Sequence, residues 1–234
     1  MSADWGVVAL SAVLTASLAS FGPAVIARLP EPAYDADAAD KVLYRDLATR
    51  RSLPAELAAA GALAGAGAGW RLGESPLVVT WIFLCAVGVI LAYVDARTRL
   101  LPTRIIAPSY GIVIGLVLTA AAVARDTQLL VRSASGWAIM GGVYLVMWLI
   151  YPRGLGYGDV RLAGLLGLGL GAVGWGSLGA GLYAGFLIGG IGGLALIVTR
   201  REERHSLPFG PSMVVGALVG VVWGDRLAHW YASW

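Results

Sequence analysis

Uncharged apolar runs long enough to cross a bilayer recur along this chain and leave few folds open to it. A spanning helix needs about 20 apolar residues. Such runs occupy 5–27, 76–94, 105–124, 133–152 and 206–224. The run 162–199 is about twice a single span and is broken near Gly174-Trp175-Gly176, so it reads as two helices. An Ala/Gly-rich stretch at 54–70, with Glu56 near its start, completes eight. In hydrocarbon every backbone polar group needs an internal partner, so the fold class expected is all-α, a polytopic transmembrane bundle of about eight helices. A content of 58% hydrophobic against 13% charged residues is more apolar surface than a soluble core absorbs. Its mean hydropathy of +0.76 agrees.

The net charge of +3 matters less than where the charges fall, and no nucleic-acid partner is expected. With eight spans, thirteen of the 17 Lys and Arg residues lie on one side, and only Arg71, Arg125, Arg132 and Arg226 on the other. By the positive-inside rule both termini then face away from the cytoplasm, in a multi-pass protein of the cytoplasmic (inner) membrane. The first run has no basic stretch ahead of it and no small-x-small cleavage site, so it reads as a retained helix. The long hydrophilic loop 28–53 reads as a solvated cytoplasmic segment with a short helix around 38–49.

Gly181, Gly185, Gly189 and Gly193, like Gly61, Gly65 and Gly69, repeat at every fourth position and form helix faces that another backbone can approach closely. Whether they pack within one chain or between two is open, and with it the oligomeric state. Trp70, Trp137, Trp175, Trp223 and Trp230 fall near expected span ends, where indoles favour the interface. The single cysteine, Cys85, lies within an apolar run and reads as a small buried hydrophobe, which excludes an internal disulfide and a cysteine-built zinc site. His205 and His229 have no clustered partner, so no metal is expected.

Two acids stand apart from the rest. Asp95 closes one apolar run, and Asp159, behind Gly156-Tyr157-Gly158, opens another; both fall on the cytoplasmic side of the eight-span scheme. Ionisable groups at such depth face a bundle interior or an aqueous cavity and mark function by default. Two arrangements are open. The acids could form separate ion pairs, Asp95 with Arg97 or Arg99 and Asp159 with Arg161, or they could meet. Two carboxylates brought close cannot both ionise cheaply, so they would share a proton and supply one acid and one base. The base activates water against a peptide carbonyl and the acid protonates its oxygen. Gly156 and Gly158 allow a tight turn and the close approach of an extended substrate.

Joined together, Tyr93-Val94-Asp95 with Leu101-Pro102, then Gly154 to Leu162 with its Gly156-Tyr157-Gly158-Asp159, then Leu207-Pro208-Phe209-Gly210-Pro211 resemble the type IV prepilin peptidases, membrane aspartyl proteases of the G-x-G-D kind. Ser20-Phe21, Arg28-Leu29-Pro30 and Leu53-Pro54-Ala55-Glu56-Leu57 echo that family's first helix end and second helix start. The resemblance implies an aspartic endopeptidase with Asp95 and Asp159 catalytic. It would remove the short basic leader of type IV prepilins or pseudopilins at the cytoplasmic face, in service of pili or protein secretion. Gly156, Gly158 and Pro102 would support the backbone, and Arg161, Pro208, Phe209, Gly210 and Pro211 would line the site. It also divides the chain into 1–75, a two-helix region with a cytoplasmic loop that resembles a degenerate methyltransferase part, and 76–234, the peptidase domain.

Departures from the pattern matter. Bifunctional members carry paired C-x-x-C motifs in the first cytoplasmic loop, and this chain has no cysteine there. Zinc is therefore not expected, and N-methylation with S-adenosylmethionine as donor is left open. The family's lysine after Gly-Asp is Arg161, which keeps the charge but not the geometry. Two other readings compete: another G-x-G-D intramembrane protease, which the Pro-Phe-Gly-Pro stretch and the long first loop disfavour, and a proton-coupled transporter relaying protons through both aspartates. The transporter predicts midplane carboxylates and internal repeats, and the sequence has neither.

Overall fold

The computed structural model describes residues 4–31, 42–152, 154–198 and 208–233, and among these every regular element is a helix. Helix α1 (Trp5–Ser20) starts on the Asp4 side chain, which accepts from the Gly6 and Val7 amides at 2.9 and 3.3 Å. A one-residue break at Phe21 leads into the short α2 (Gly22–Ile26), with Pro23 in its first turn where no N–H is missed. Of the loop helix expected around 38–49, only α3 (Tyr44–Ala48) is present among the described residues; 32–41 lie outside them. Glu31 caps α3 by accepting from the Tyr44 and Arg45 amides at 2.9 and 3.0 Å.

The remaining long helices are α4 (Leu53–Leu72), α5 (Leu77–Thr98), α6 (Thr103–Ala124), α7 (Thr127–Ile150), α8 (Tyr157–Val173), α9 (Trp175–Val198) and α10 (Gly210–Ala232). Each expected apolar run is thus helical, and the long run 162–199 breaks at Gly174, as its glycines suggest. Among the described residues five spans, Trp5–Ile26 and helices α5, α6, α7 and α10, are long and apolar enough to cross a membrane. Helix α8, with 17 residues, is short for a span.

Several ends differ from the sequence reading, each beside a charge. Helix α7 starts at Thr127, not at 133, because Asp126 caps it, accepting from the Gln128 and Leu129 amides, and also pairs with Arg132 at 3.2 Å. Trp137 therefore sits in mid-helix and not at a span end. Helix α10 starts at Gly210, not 206, and continues through Asp225 and Arg226. Asp225 pairs with Arg71 at the end of α4, and the Arg226 guanidinium lies 4.9 Å from the Trp70 ring centre. A charge with a partner does not end a helix.

Glycines set the tightest crossings. A Cβ on Gly216 of α10 would fall 2.4 Å from the Gly185 nitrogen of α9, and one on Gly136 of α7 would fall 2.3 Å from the Gly167 oxygen of α8. The Gly61-Gly65-Gly69 face of α4 meets Ala19, Thr15 and Ser11 of α1 in the same way. Helix α5 lies among α1, α4, α6, α8 and α10, with Leu91 and Val94 fully buried. Helix α8 is buried from Leu162 to Ala172 on all sides, the pattern of a helix with no outer face. Asp95 and Asp159 belong to these two enclosed helices.

Candidate active site

Asp95 stands in the last turn of α5, where the chain leaves the helix through Arg99 in the left-handed region, φ 56°. The Arg99 amide closes the turn by donating to the Asp95 carbonyl at 2.7 Å. Leu100 and Leu101 follow, and Pro102, with extended backbone, starts α6. The Asp95 side chain points inward, 4% exposed. Its Oδ2 accepts from the Gly210 amide at 2.7 Å, the first N–H of α10. The opening amides of a helix have no intrahelical acceptor, and its N-terminus favours a negative charge.

Asp159 is the third residue of α8 and is 6% exposed. Its Oδ2 reaches back to accept from the Gly156 amide at 2.8 Å, half of a capping box with a carboxylate in the first turn. Its Oδ1 is buried and has no hydrogen-bond partner among the described residues. Gly158, the residue before Asp159, lies against Leu101 of the turn that follows Asp95, which brings the two helix ends together. Each carboxylate therefore has one oxygen held by a glycine N–H, and they come from separate helices into one buried region.

Ion pairs among the described residues include Arg45–Asp46, Arg50–Glu56, Arg71–Asp225 and Arg132–Asp126. Arg99 acts on Asp95 through its field. The Arg97 guanidinium lies 5.6 Å from the Tyr93 ring centre, and that of Arg161 lies 5.1 Å from the Tyr157 ring centre. Arg161 also donates to the Thr103 hydroxyl, and its carbonyl accepts from the Tyr110 hydroxyl at 2.8 Å. Arg161 thus ties α8 to the start of α6.

The glycines of the motifs have steric reasons. A Cβ on Gly158 would come within 2.7 Å of the Leu101 Cβ, so its absence lets the Leu101-Pro102 turn lie against the start of α8. A Cβ on Gly210 would come within 2.8 Å of the Asp95 Oδ2. Pro208 and Phe209 are non-helical and lead into α10, with Pro211 in its first turn, while Leu207 and His205 lie outside the described residues.

Aromatic side chains that the sequence reading passes over close the region. The Phe209 ring meets Tyr144 of α7 and Phe186 of α9 edge-on at 6.4 and 6.3 Å, and those two stack at 4.8 Å. Tyr144 is fully buried, its hydroxyl lacks a hydrogen-bond partner among the described residues, and it feels the charge of Asp159. A hydroxyl in the middle of the apolar run 133–152 was the signal available for it. Tyr44 of the loop helix, buried beside Thr98 and Asp95, covers the region from outside; burial raises its phenol above the ordinary value.

Comparison with known proteins adds a family. The type IV leader peptidase family matches residues 82–198, which contain both aspartates. The prepilin leader peptidase/N-methyltransferase of Aeromonas salmonicida (strain A449) is 30% identical over 170 residues, covering 67% of this chain and 52% of the relative. The protein of that name from Aeromonas hydrophila is 31% identical over 170 residues, with the same coverage. That from Bacillus subtilis (strain 168) is 29% identical over 174 residues, covering 71% of this chain and 64% of the relative. The chain spans about half the length of the Aeromonas relatives. No solved structure gives a significant match.

Proposed function

Because this chain belongs to the type IV leader peptidase family, we propose that it is a membrane-embedded aspartic endopeptidase in which Asp95 and Asp159 act as one dyad. The observation that supports this most directly is the pair of buried carboxylates, each anchored through one oxygen by a glycine N–H, with the Asp159 Oδ1 left without a partner. A catalytic oxygen needs a free lone pair in a fixed position, and anchoring the other oxygen provides it.

In the proposed reaction the pair holds one proton between its members. The ionised carboxylate takes a proton from a water molecule as the water oxygen bonds to the scissile carbonyl carbon, and the protonated one donates to the carbonyl oxygen. The tetrahedral intermediate collapses as the amine leaves with a proton returned by the dyad. Because the groups interact, the titration belongs to the pair and not to either residue.

The substrates proposed are type IV prepilins or pseudopilins carrying a short basic leader ahead of an apolar helix, cut at the cytoplasmic face of the membrane. Three relatives are named prepilin leader peptidase/N-methyltransferase, and the excess of Lys and Arg on one side of the eight-span scheme favours that orientation, with both termini outside the cytoplasm. We assign peptide cleavage to 76–234 and treat 1–75 as a degenerate counterpart of a methyltransferase part, with no zinc site. Gly156, Gly158 and Pro102 serve as backbone support, and Pro208 to Pro211 line the site, with Arg161 beside it.

Co-expression with a candidate prepilin tests the reading by the size shift of the substrate. A shift with the wild type that Asp95→Asn and Asp159→Asn both lose supports the dyad. Loss of transport with processing intact would instead favour the proton-coupled transporter.

A further inference from the structure

Both carboxylates of the candidate site are covered, Asp95 to 4% and Asp159 to 6% exposure. Cleavage needs a water molecule and an extended peptide within hydrogen-bond reach of them, so some part of the protein lying over the site has to move. Most of what surrounds Asp95 is costly to displace. Helices α5, α8 and α10 are long, and close glycine crossings fix α8 to α7 and α10 to α9.

Helix α3 is held differently. With five residues it is far below the length at which a helix sustains itself in water. Its N-cap residue, Leu43, has no side-chain acceptor for the opening amides. Glu31 satisfies two of them instead, from 13 residues before Tyr44, with one carboxylate oxygen on the Tyr44 amide at 2.9 Å and the other on the Arg45 amide at 3.0 Å. Of its five residues only Tyr44 and Leu47 are buried. The Tyr44 side chain lies beside Thr98. Thr98 follows Asp95 by three residues on α5, on the same helix face and one turn nearer the helix end. Helix α3 rests on α2, whose Gly22 packs against Ile90 of that same α5.

From this arrangement we infer that α3 is a plug over Asp95, latched by Glu31 and withdrawn for each substrate to enter. The inference rests on the peptidase reading of Asp95. Segments that open on their own bury few side chains and depend on few hydrogen bonds, and α3 has two of each. The closed form withholds the site, and only the open fraction binds, so the apparent affinity for substrate is lowered by that fraction. Weakening the latch therefore improves binding and leaves the chemistry alone. Loss of a merely structural cap does the reverse, lowering activity through loss of folded protein.

Thiol labelling tests the plug independently of cleavage. In a Cys85→Ala background, which removes the one native cysteine, Asp95→Cys in membranes should react slowly with a water-soluble maleimide. Glu31→Ala and Tyr44→Ala should each raise the rate about fivefold, the size of a lost helix cap, while Glu74→Ala, exposed ahead of α5, should leave it as it was. With Asp95 in place, Glu31→Ala should lower KM for a prepilin about fivefold at unchanged kcat. Labelling of Asp95→Cys that is fast from the start, or equally slow in folded Glu31→Ala and Tyr44→Ala, would overturn the plug. So would an unchanged or raised KM in Glu31→Ala, which would make α3 a fixed wall of the site. Failure of the wild type to cut any prepilin counts against the peptidase reading alone, since the labelling rates report the cover with or without cleavage.

Discussion

The amide of Gly210 lies 2.7 Å from the Asp95 carboxylate, joining the last turn of α5 to the first residue of α10 across 115 positions of sequence. The contact depends on glycine, since a Cβ there would meet Asp95 Oδ2 at 2.8 Å and its Cγ at 3.1 Å.

Gly210→Ala should therefore push the carboxylate off its donor while leaving the fold in place. Hydrogen bonds to charged groups contribute about 1.5–3 kcal/mol, so a loss of roughly 10- to 100-fold in cleavage rate is expected. Prepilin processing, compared with circular dichroism of the purified variant, gives the answer. Unchanged processing would show that this donor does not position Asp95 for chemistry.

Asp95→Asn and Asp159→Asn should each lower kcat by on the order of 10²–10⁴, and the double variant should be little worse than either, because the groups work as a unit. Arg161→Ala should be milder, since its guanidinium engages Thr103 and Tyr157 and not a carboxylate. Near-normal turnover in either aspartate variant would end the dyad.

Tyr144→Phe separates packing from chemistry. Its hydroxyl is buried without a partner among the described residues, and an unsatisfied buried group costs about 1–3 kcal/mol, so removing it should leave thermal stability unchanged or higher. If the hydroxyl serves the reaction beside Asp159, kcat should drop by roughly tenfold at unchanged KM. A variant that is both as active and as stable as wild type assigns the ring to packing alone.

Arg71 and Asp225 join the end of α4 to α10 in a half-buried ion pair. A double-mutant cycle on Arg71→Ala and Asp225→Ala, read by thermal unfolding in detergent, should return a coupling of about 1 kcal/mol. Additive losses would mean that the pair does not hold the helices together.

The helices were legible because bilayer length and apolar composition leave one solution for each run, down to the break at Gly174. Their ends were less so. Residue type shows Arg132 and Asp225 as charges but not that Asp126 and Arg71 neutralise them, and the helices run on past both. Asp95 and Asp159 stood out as acids abutting apolar runs. What holds them did not, because the donors are main-chain amides and a glycine's N–H leaves no mark in residue identity. Tyr144 was hidden differently, as one aromatic among many in an apolar span.

The anchoring of both carboxylates by glycine amides also decides how this site answers to mutagenesis. Truncating side chains one at a time can remove an aspartate but neither of the groups that grip it, because those groups belong to the main chain. On the proposed dyad, a search by deletion would find the two acids and miss what grips them. Only a search by addition, placing a methyl where Gly156 or Gly210 has none, reaches the other half of the machinery, and at Gly156 the added carbon would stand 3.3 Å from the Asp159 Oδ2.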